Sequence, residues 1–266
     1  MPESKYIQSQ GINLHYLEWG NPNSPDLLLV HGWTNIAESW TQVAEYFENE
    51  FHIIAPDNRG HGLSDKPSTG YLLNDFVEDT ATIISALELK RPIYIGHSWG
   101  ANIGTILAAD HPELISKAFL EDPVYWKFIN SFATSLPVGL ARLNRPESEI
   151  REQGIQNKLT PDEIKFEIYR HHHFSPAALT HLLKDNRSWA FSCEDFIQRI
   201  KVPTLVLVAD NKLGGAILPE EMDYFQTIGS DFINFRRWEG VGHGMHTSNP
   251  ERFNQELSSF ISAPEV

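Results

Sequence analysis

Apolar and polar residues follow two rhythms along this chain. Residues 5–19, from Tyr6-Ile7-Gln8 through Gly11 to Leu17-Glu18-Trp19, alternate on either side of Gly11 and read as a two-stranded hairpin at a sheet edge. Later segments run apolar without alternation, most clearly Asp26-Leu27-Leu28-Leu29-Val30. A strand that is apolar at every position is one covered on both faces, the condition of a parallel strand flanked by helices. Further strands are expected at Phe51–Pro56, from Ile93 to the Gly96-His97-Ser98 turn, and at Lys117–Pro123, Pro203–Val208 and Ile233–Trp238. Between them lie helical stretches near Ile36–Phe47, at 73–89 with Phe76, Ile83, Ile84 and Leu87 on one face, and at about Pro250–Ile261. Strands alternating with helices at this spacing predict parallel crossovers and an α/β fold with a doubly wound, mostly parallel sheet.

The alternation breaks over residues 124–200, which hold no strand pattern but do hold helix starts. Thr160-Pro161-Asp162-Glu163 combines an N-cap threonine, proline in the first turn and glutamate at the third position, and Ser175-Pro176 repeats the first two signals. We read 1–123 and 201–266 as the core and 124–200 as a helical cap inserted over the sheet.

Length and charge narrow the partners. A chain of 266 residues accommodates one α/β domain with an insertion. No run approaches the ~20 apolar residues of a membrane span, and Met1-Pro2-Glu3-Ser4-Lys5 lacks the features of a secretory signal, so a cytoplasmic setting is expected. A net charge of −14 opposes long-range attraction to nucleic acid or anionic membranes and favours neutral small-molecule substrates. Cys193 is the sole cysteine, which excludes an internal disulfide and a cysteine-based metal site. The run His171-His172-His173 has a metal-like composition, but consecutive helical side chains fan out by ~100° each and do not converge on one ion. No metal or cofactor is expected.

The chemistry concentrates at Ile93-Tyr94-Ile95-Gly96-His97-Ser98-Trp99-Gly100-Ala101-Asn102-Ile103-Gly104. A β-branched and aromatic run enters Gly-x-Ser-x-Gly and continues as small and aliphatic residues suited to a helix packed close to the sheet. The strand-to-helix turn at Ser98 needs small neighbours, hence Gly96 and Gly100, and leaves a strained hydroxyl above a helix N-terminus. A serine hydroxyl at its own pKa is a poor nucleophile, so it needs a base and a carboxylate that orients the base. His243, in Gly240-Val241-Gly242-His243 after the last strand, is the candidate base; His246 is its near rival.

These residues resemble an α/β-hydrolase of the single-chain, helical-cap kind, and the resemblance spans nearly the whole chain. His31-Gly32-Trp33 resembles the family's oxyanion loop, Asp57-x-Arg59-Gly60-x-Gly62-x-Ser64 its second-strand loop, Gly96–Gly100 its nucleophile elbow and Gly240–His243 its histidine loop. The resemblance implies an order of serine, acid, histidine, with oxyanion donors in the backbone N–H groups of Trp33 and Trp99. Many relatives carry the acid after the strand equivalent to 204–208, where this chain has Ala209-Asp210-Asn211-Lys212; others carry it at the end of the preceding strand, here Asp122. Both Asp122 and Asp210 are candidates, Asp122 preferred, and Glu121 should face the other side of its strand. The indoles of Trp33 and Trp99, with Trp126, Phe128, Phe132 and Trp189 of the cap, are candidate substrate-pocket walls. His31 is read as bracing its loop, and Asp57 and Arg59 as an ion pair or hydrogen-bonded turn.

The expected function is that of a cofactor-free serine hydrolase of the carboxylesterase type, cleaving a small, largely apolar ester through an acyl-enzyme. A C–C bond hydrolase or a thioesterase would use the same triad. Relatives with dehalogenase or epoxide hydrolase chemistry have aspartate where this chain has Ser98. Cofactor-free ring-cleaving dioxygenases share Asp-x-x-x-Trp, here Asp122 to Trp126, but have histidine in place of Trp99. A slow-turnover ligand sensor that signals through its cap is the alternative of another class.

Overall fold

The computed structural model of the protein describes residues 1–125 and 139–264. Eight strands form one sheet: β1 (Glu3–Ser9), β2 (Ile12–Trp19), β3 (Asp26–Val30), β4 (His52–Pro56), β5 (Ile93–His97), β6 (Lys117–Glu121), β7 (Thr204–Val208) and β8 (Ile233–Arg237). Their order is β1-β2-β4-β3-β5-β6-β7-β8. The first two strands are the expected edge hairpin, antiparallel to each other and, through β2, to β4; every other pairing is parallel.

Continuous apolar strands require cover on two sides, and the sheet has it. In β3, Leu27 and Leu29 enter one core with Trp19, Ile53, Ile95, Phe119 and Leu207, while Leu28 and Val30 enter the other with Ile54, Tyr94, Leu120 and Val206. Leu27, Leu28, Leu29 and Val30 are fully buried, each contributing roughly 1.5–3 kcal/mol. Helices α1 (Thr41–Phe47, preceded by a 3₁₀ turn at Ala37–Trp40) and α9 (Pro250–Ser262) cover the first face. Helices α2 (Leu73–Ala86), α3 (Trp99–Asp110), α7 (Trp189–Arg199) and α8 (Pro219–Ile228) contribute to the second. The single helix expected at 36–47 is thus a tight 3₁₀ turn followed by a shorter α-helix.

Between β6 and β7 the described residues hold helices and no strand: α4 (Glu147–Gln156), α5 (Pro161–His172), α6 (Pro176–Asp185) and α7. The cap signals act as read. Thr160 Oγ1 accepts from the Glu163 N–H while Glu163 reaches back to the Thr160 N–H at 2.7 Å, and Ser175 Oγ accepts from the Ala178 N–H. No helix among the described residues is long and apolar enough to cross a membrane.

Candidate active site

The parallel strands β3 to β8 all end at one edge of the sheet, where ligands of α/β proteins bind. Ser98 follows β5 and opens α3 with φ 54° and ψ −110°, the strained turn that the glycine spacing implies. Side chains at the flanking glycines have no room. A Cβ on Gly96 would overlap the Gly100 carbonyl, and one on Gly100 the Val30 carbonyl. The Ser98 N–H donates to the Glu121 carbonyl at 2.8 Å, fixing the turn against β6. Gly32 brings the His31-Gly32-Trp33 loop equally close, since a Cβ there would stand 2.8 Å from Ser98 Cβ.

One strand further, β6 ends on Glu121-Asp122, and successive side chains of a strand take opposite faces. Asp122 is fully buried, with φ 44°, and its N–H donates to the Leu207 carbonyl. Its Oδ1 accepts from the Ala209 N–H at 3.1 Å; Oδ2 accepts from the Ala216 N–H at 2.7 Å and from His243 Nδ1 at 2.6 Å. The carboxylate accepts only, so Nδ1 carries the proton and Nε2 is the free basic nitrogen. Burial disfavours the charged His243 ring, but the hydrogen bond and charge of Asp122, with the charge of Glu121, outweigh it and raise its pKa above the ordinary value.

Asp210 is not brought to His243. Its carboxylate accepts from the N–H groups of Lys212 and Gly240, each at 3.0 Å, and its own N–H donates to the Val241 carbonyl. Those backbone donors at Gly240 and Lys212 hold its carboxyl below the usual range. Asp210 therefore braces the loop that carries His243. The sequence left the two aspartates unresolved because only the tertiary fold decides which of them faces the imidazole.

Glu121, on the other face of β6, takes His246. Its Oε2 lies 2.6 Å from His246 Nδ1 and its Oε1 accepts from the His246 N–H at 3.0 Å, with both side chains buried. Burial pushes the Glu121 carboxyl up, but the charge of His246 and the His246 hydrogen bonds bring it below the ordinary range. Trp40 stacks on His246 with ring centroids 4.2 Å apart. His97, level with Glu121 in the β5–β6 register, lies between the two histidines, its ring centroid 4.7 Å from His243 and 5.1 Å from His246. Burial, with the neighbouring histidines, outweighs Glu121 and pushes His97 down to about 3, so the ring is neutral and its Nε2–H donates to the His243 carbonyl at 3.1 Å. The His97 contact and the Glu121–His246 pair were not read as site features. The signals were the strand period and the three-residue spacing of His243 and His246.

The remaining candidates divide. Trp99 is buried with its ring edge-on to Phe76 of α2 at 5.9 Å, and Trp33, half-buried, packs edge-on to Phe174 at 6.4 Å. Trp189 is buried at the start of α7 and its indole donates to the Val124 carbonyl at 2.9 Å. Asn102 grips the same segment through the Val124 N–H and carbonyl. Trp126, Phe128 and Phe132 lie outside the described residues. His31 braces its loop, accepting from the Asn58 N–H at Nε2 and donating from Nδ1 to the Gly32 carbonyl. Asp57 and Arg59 do not pair with each other. Arg59 binds both oxygens of Asp79, whereas Asp57 accepts from His15 and the N–H groups of Ala37 and Leu63. The three consecutive histidines take separate contacts: His171 the ring of His172, His172 Glu147, and His173 the Tyr169 carbonyl.

Comparison with known proteins agrees with this architecture. Residues 25–204 match the family described as alpha/beta hydrolase fold, and the chain belongs to that family. It is 26% identical to a non-heme chloroperoxidase of Streptomyces lividans over 96% of this chain and 98% of that protein. It is 24% identical to epoxide hydrolase 3 of Mus musculus, over 96% of this chain and 75% of that one. The crystal structure of E-2-(acetamidomethylene)succinate hydrolase superposes with a TM-score of 0.82 at 22% identity, covering 99% and 100% of the two chains. The class is thus that of an α/β-hydrolase-family hydrolase with serine at its elbow.

Proposed function

We propose that the protein is a carboxylesterase-type serine hydrolase acting on small, largely apolar esters, with Ser98 as nucleophile, His243 as general base and Asp122 as the orienting acid. The supporting observation is the 2.6 Å contact between His243 Nδ1 and the fully buried Asp122, with the His243 carbonyl accepting from His97, the residue before the strained Ser98 turn. Ser98 Oγ attacks the ester carbonyl carbon while its proton passes to His243 Nε2. The carbonyl oxygen becomes an oxyanion received by the backbone N–H groups of Trp33 and Trp99, each contributing about 10²–10³ in rate. The carbon–oxygen bond to the alcohol breaks, and the alcohol leaves with the proton from His243. Water, deprotonated by the same nitrogen, then releases the acid and restores Ser98. The epoxide hydrolase and chloroperoxidase relatives widen the chemistry within the family. The serine at position 98, in place of the aspartate of epoxide-opening relatives, favours acyl transfer.

A chain-length series of p-nitrophenyl esters tests the proposal. Burst release of about one p-nitrophenolate per chain followed by slower turnover supports it; no burst and no Ser98-dependent turnover across the series overturns it. The pairing of His243 with an acid after β6 also fits the second reading, a cofactor-free dioxygenase in which the same imidazole deprotonates an aromatic substrate. Oxygen uptake with a hydroxyquinolone, absent any ester burst, would favour that reading.

A further inference from the structure

The edge hairpin assembles a second serine, imidazole and carboxylate. Ser4 on β1 is exposed, and its Oγ lies 2.8 Å from Nε2 of His15 on β2. His15 Nδ1 lies 2.7 Å from Asp57 Oδ2, with both residues buried. In the sheet order, β2, β4 and β3 separate β1 from β5, so Ser4 stands about 19 Å from the elbow strand at ordinary strand spacing.

The protonation pattern follows from the partners. Burial pushes Asp57 up, but the His15 hydrogen bond and the N–H groups of Ala37 and Leu63 hold its carboxyl below the ordinary value. The ionised carboxylate only accepts, so the proton of neutral His15 sits on Nδ1 and Nε2 offers its lone pair to the Ser4 hydroxyl. The ring has little freedom: Tyr6 packs over it at 5.2 Å, and the His15 N–H and carbonyl bind Ser64 Oγ and the Asp57 N–H. A hydroxyl that only tied two strands would need any acceptor. Here the acceptor is an imidazole fixed by a buried carboxylate, the arrangement that makes a serine nucleophilic, and it is recognised by geometry rather than position in the chain.

We propose that Ser4 is a second reactive hydroxyl, a covalent modification site for neutral activated acyl and phosphoryl donors. Ser4 Oγ attacks the electrophilic carbon or phosphorus, its proton passes to His15 Nε2, and the leaving group departs as phenolate or fluoride. His15 then releases the proton to solvent. Ser4 sits within a strand, not at a helix N-terminus, so the reaction is a stoichiometric modification without turnover.

The test uses the Ser98→Ala chain, which removes the elbow serine and so reads Ser4 independently of the proposed esterase. The folded variant is treated with diisopropyl fluorophosphate, and adducts are followed by peptide mass mapping with exposed Ser68 as internal reference. Ser4 is expected to react on the order of 10²-fold faster than Ser68. His15→Gln should bring Ser4 down to the Ser68 rate. Should that variant fail to fold, the same comparison in urea serves, because the advantage must vanish when the hairpin unfolds. Equal rates for Ser4 and Ser68 in the folded chain, or an advantage that survives in urea, overturn the proposal.

Discussion

Asp122 and His243, 121 residues apart in the chain, meet at 2.6 Å because the loop after β7 turns the N–H groups of Ala209 and Ala216 onto the Asp122 carboxylate. The same carboxylate is thereby held against the imidazole by two backbone donors. Asp122→Asn keeps the shape and removes the charge, and is expected to lower kcat by about 10³–10⁴. Asp210→Asn disturbs only the brace at Gly240 and Lys212 and is expected to cost less than about tenfold, the order of a lost loop hydrogen bond. Steady-state kinetics on one p-nitrophenyl ester compares them; the reverse ranking contradicts the assignment.

With His243 as the proposed base, its raised pKa is expected to set the acid limb of the pH profile. The ring acts as base only when neutral, so kcat/KM falls as pH drops through its folded-state pKa. That limb is expected above about 6.5, the ordinary histidine value. The residual activity of Asp122→Asn should have its limb at lower pH, since the carboxylate charge that favours the protonated ring is gone. An unshifted limb in the variant contradicts the cause given.

The Glu121–His246 pair is expected to act on stability. Removing one partner of a buried pair leaves the other uncompensated, so Glu121→Ala should cost about 3–5 kcal/mol in urea unfolding. Because the folded-state carboxyl is held below its unfolded value, its contribution is present above the ordinary glutamate range and is lost as pH falls through the folded value. The stability gap between wild type and Glu121→Gln should therefore narrow on acidification below about pH 4.3. A gap that widens there contradicts the ionised pair.

Steric and conformational demands on glycine separate at two positions. Gly100→Ala drives a Cβ into the Val30 carbonyl and is expected to cost about 3 kcal/mol or more, with loss of Ser98 reactivity. Gly214→Ala, at φ +92° with open space around it, should cost only about 1–2 kcal/mol. Urea midpoints measure both.

The sequence carried most of the architecture because burial on two faces writes itself as unbroken apolar runs, as in Leu27–Val30. The caps at Thr160 and Ser175 were legible for a similar reason: their partners lie within three residues. The long-range partners were not. Nothing local states that Arg59 binds Asp79 rather than Asp57, that Asp210 turns to Gly240, or that Glu121 takes His246 while its neighbour takes His243. Each depends on which loop packs on which strand end. His15 read as one position of an alternating strand, and only the hairpin register brings Ser4 to its ring.

The claim that Ser98 is a nucleophile activated by His243 is tested most directly by a fluorophosphonate and mass mapping of the Ser98 peptide. The expected result is a stoichiometric adduct at Ser98 in the wild type, lost in Ser98→Ala and slowed by orders of magnitude in His243→Ala. A folded wild-type chain whose Ser98 peptide stays unmodified would contradict it.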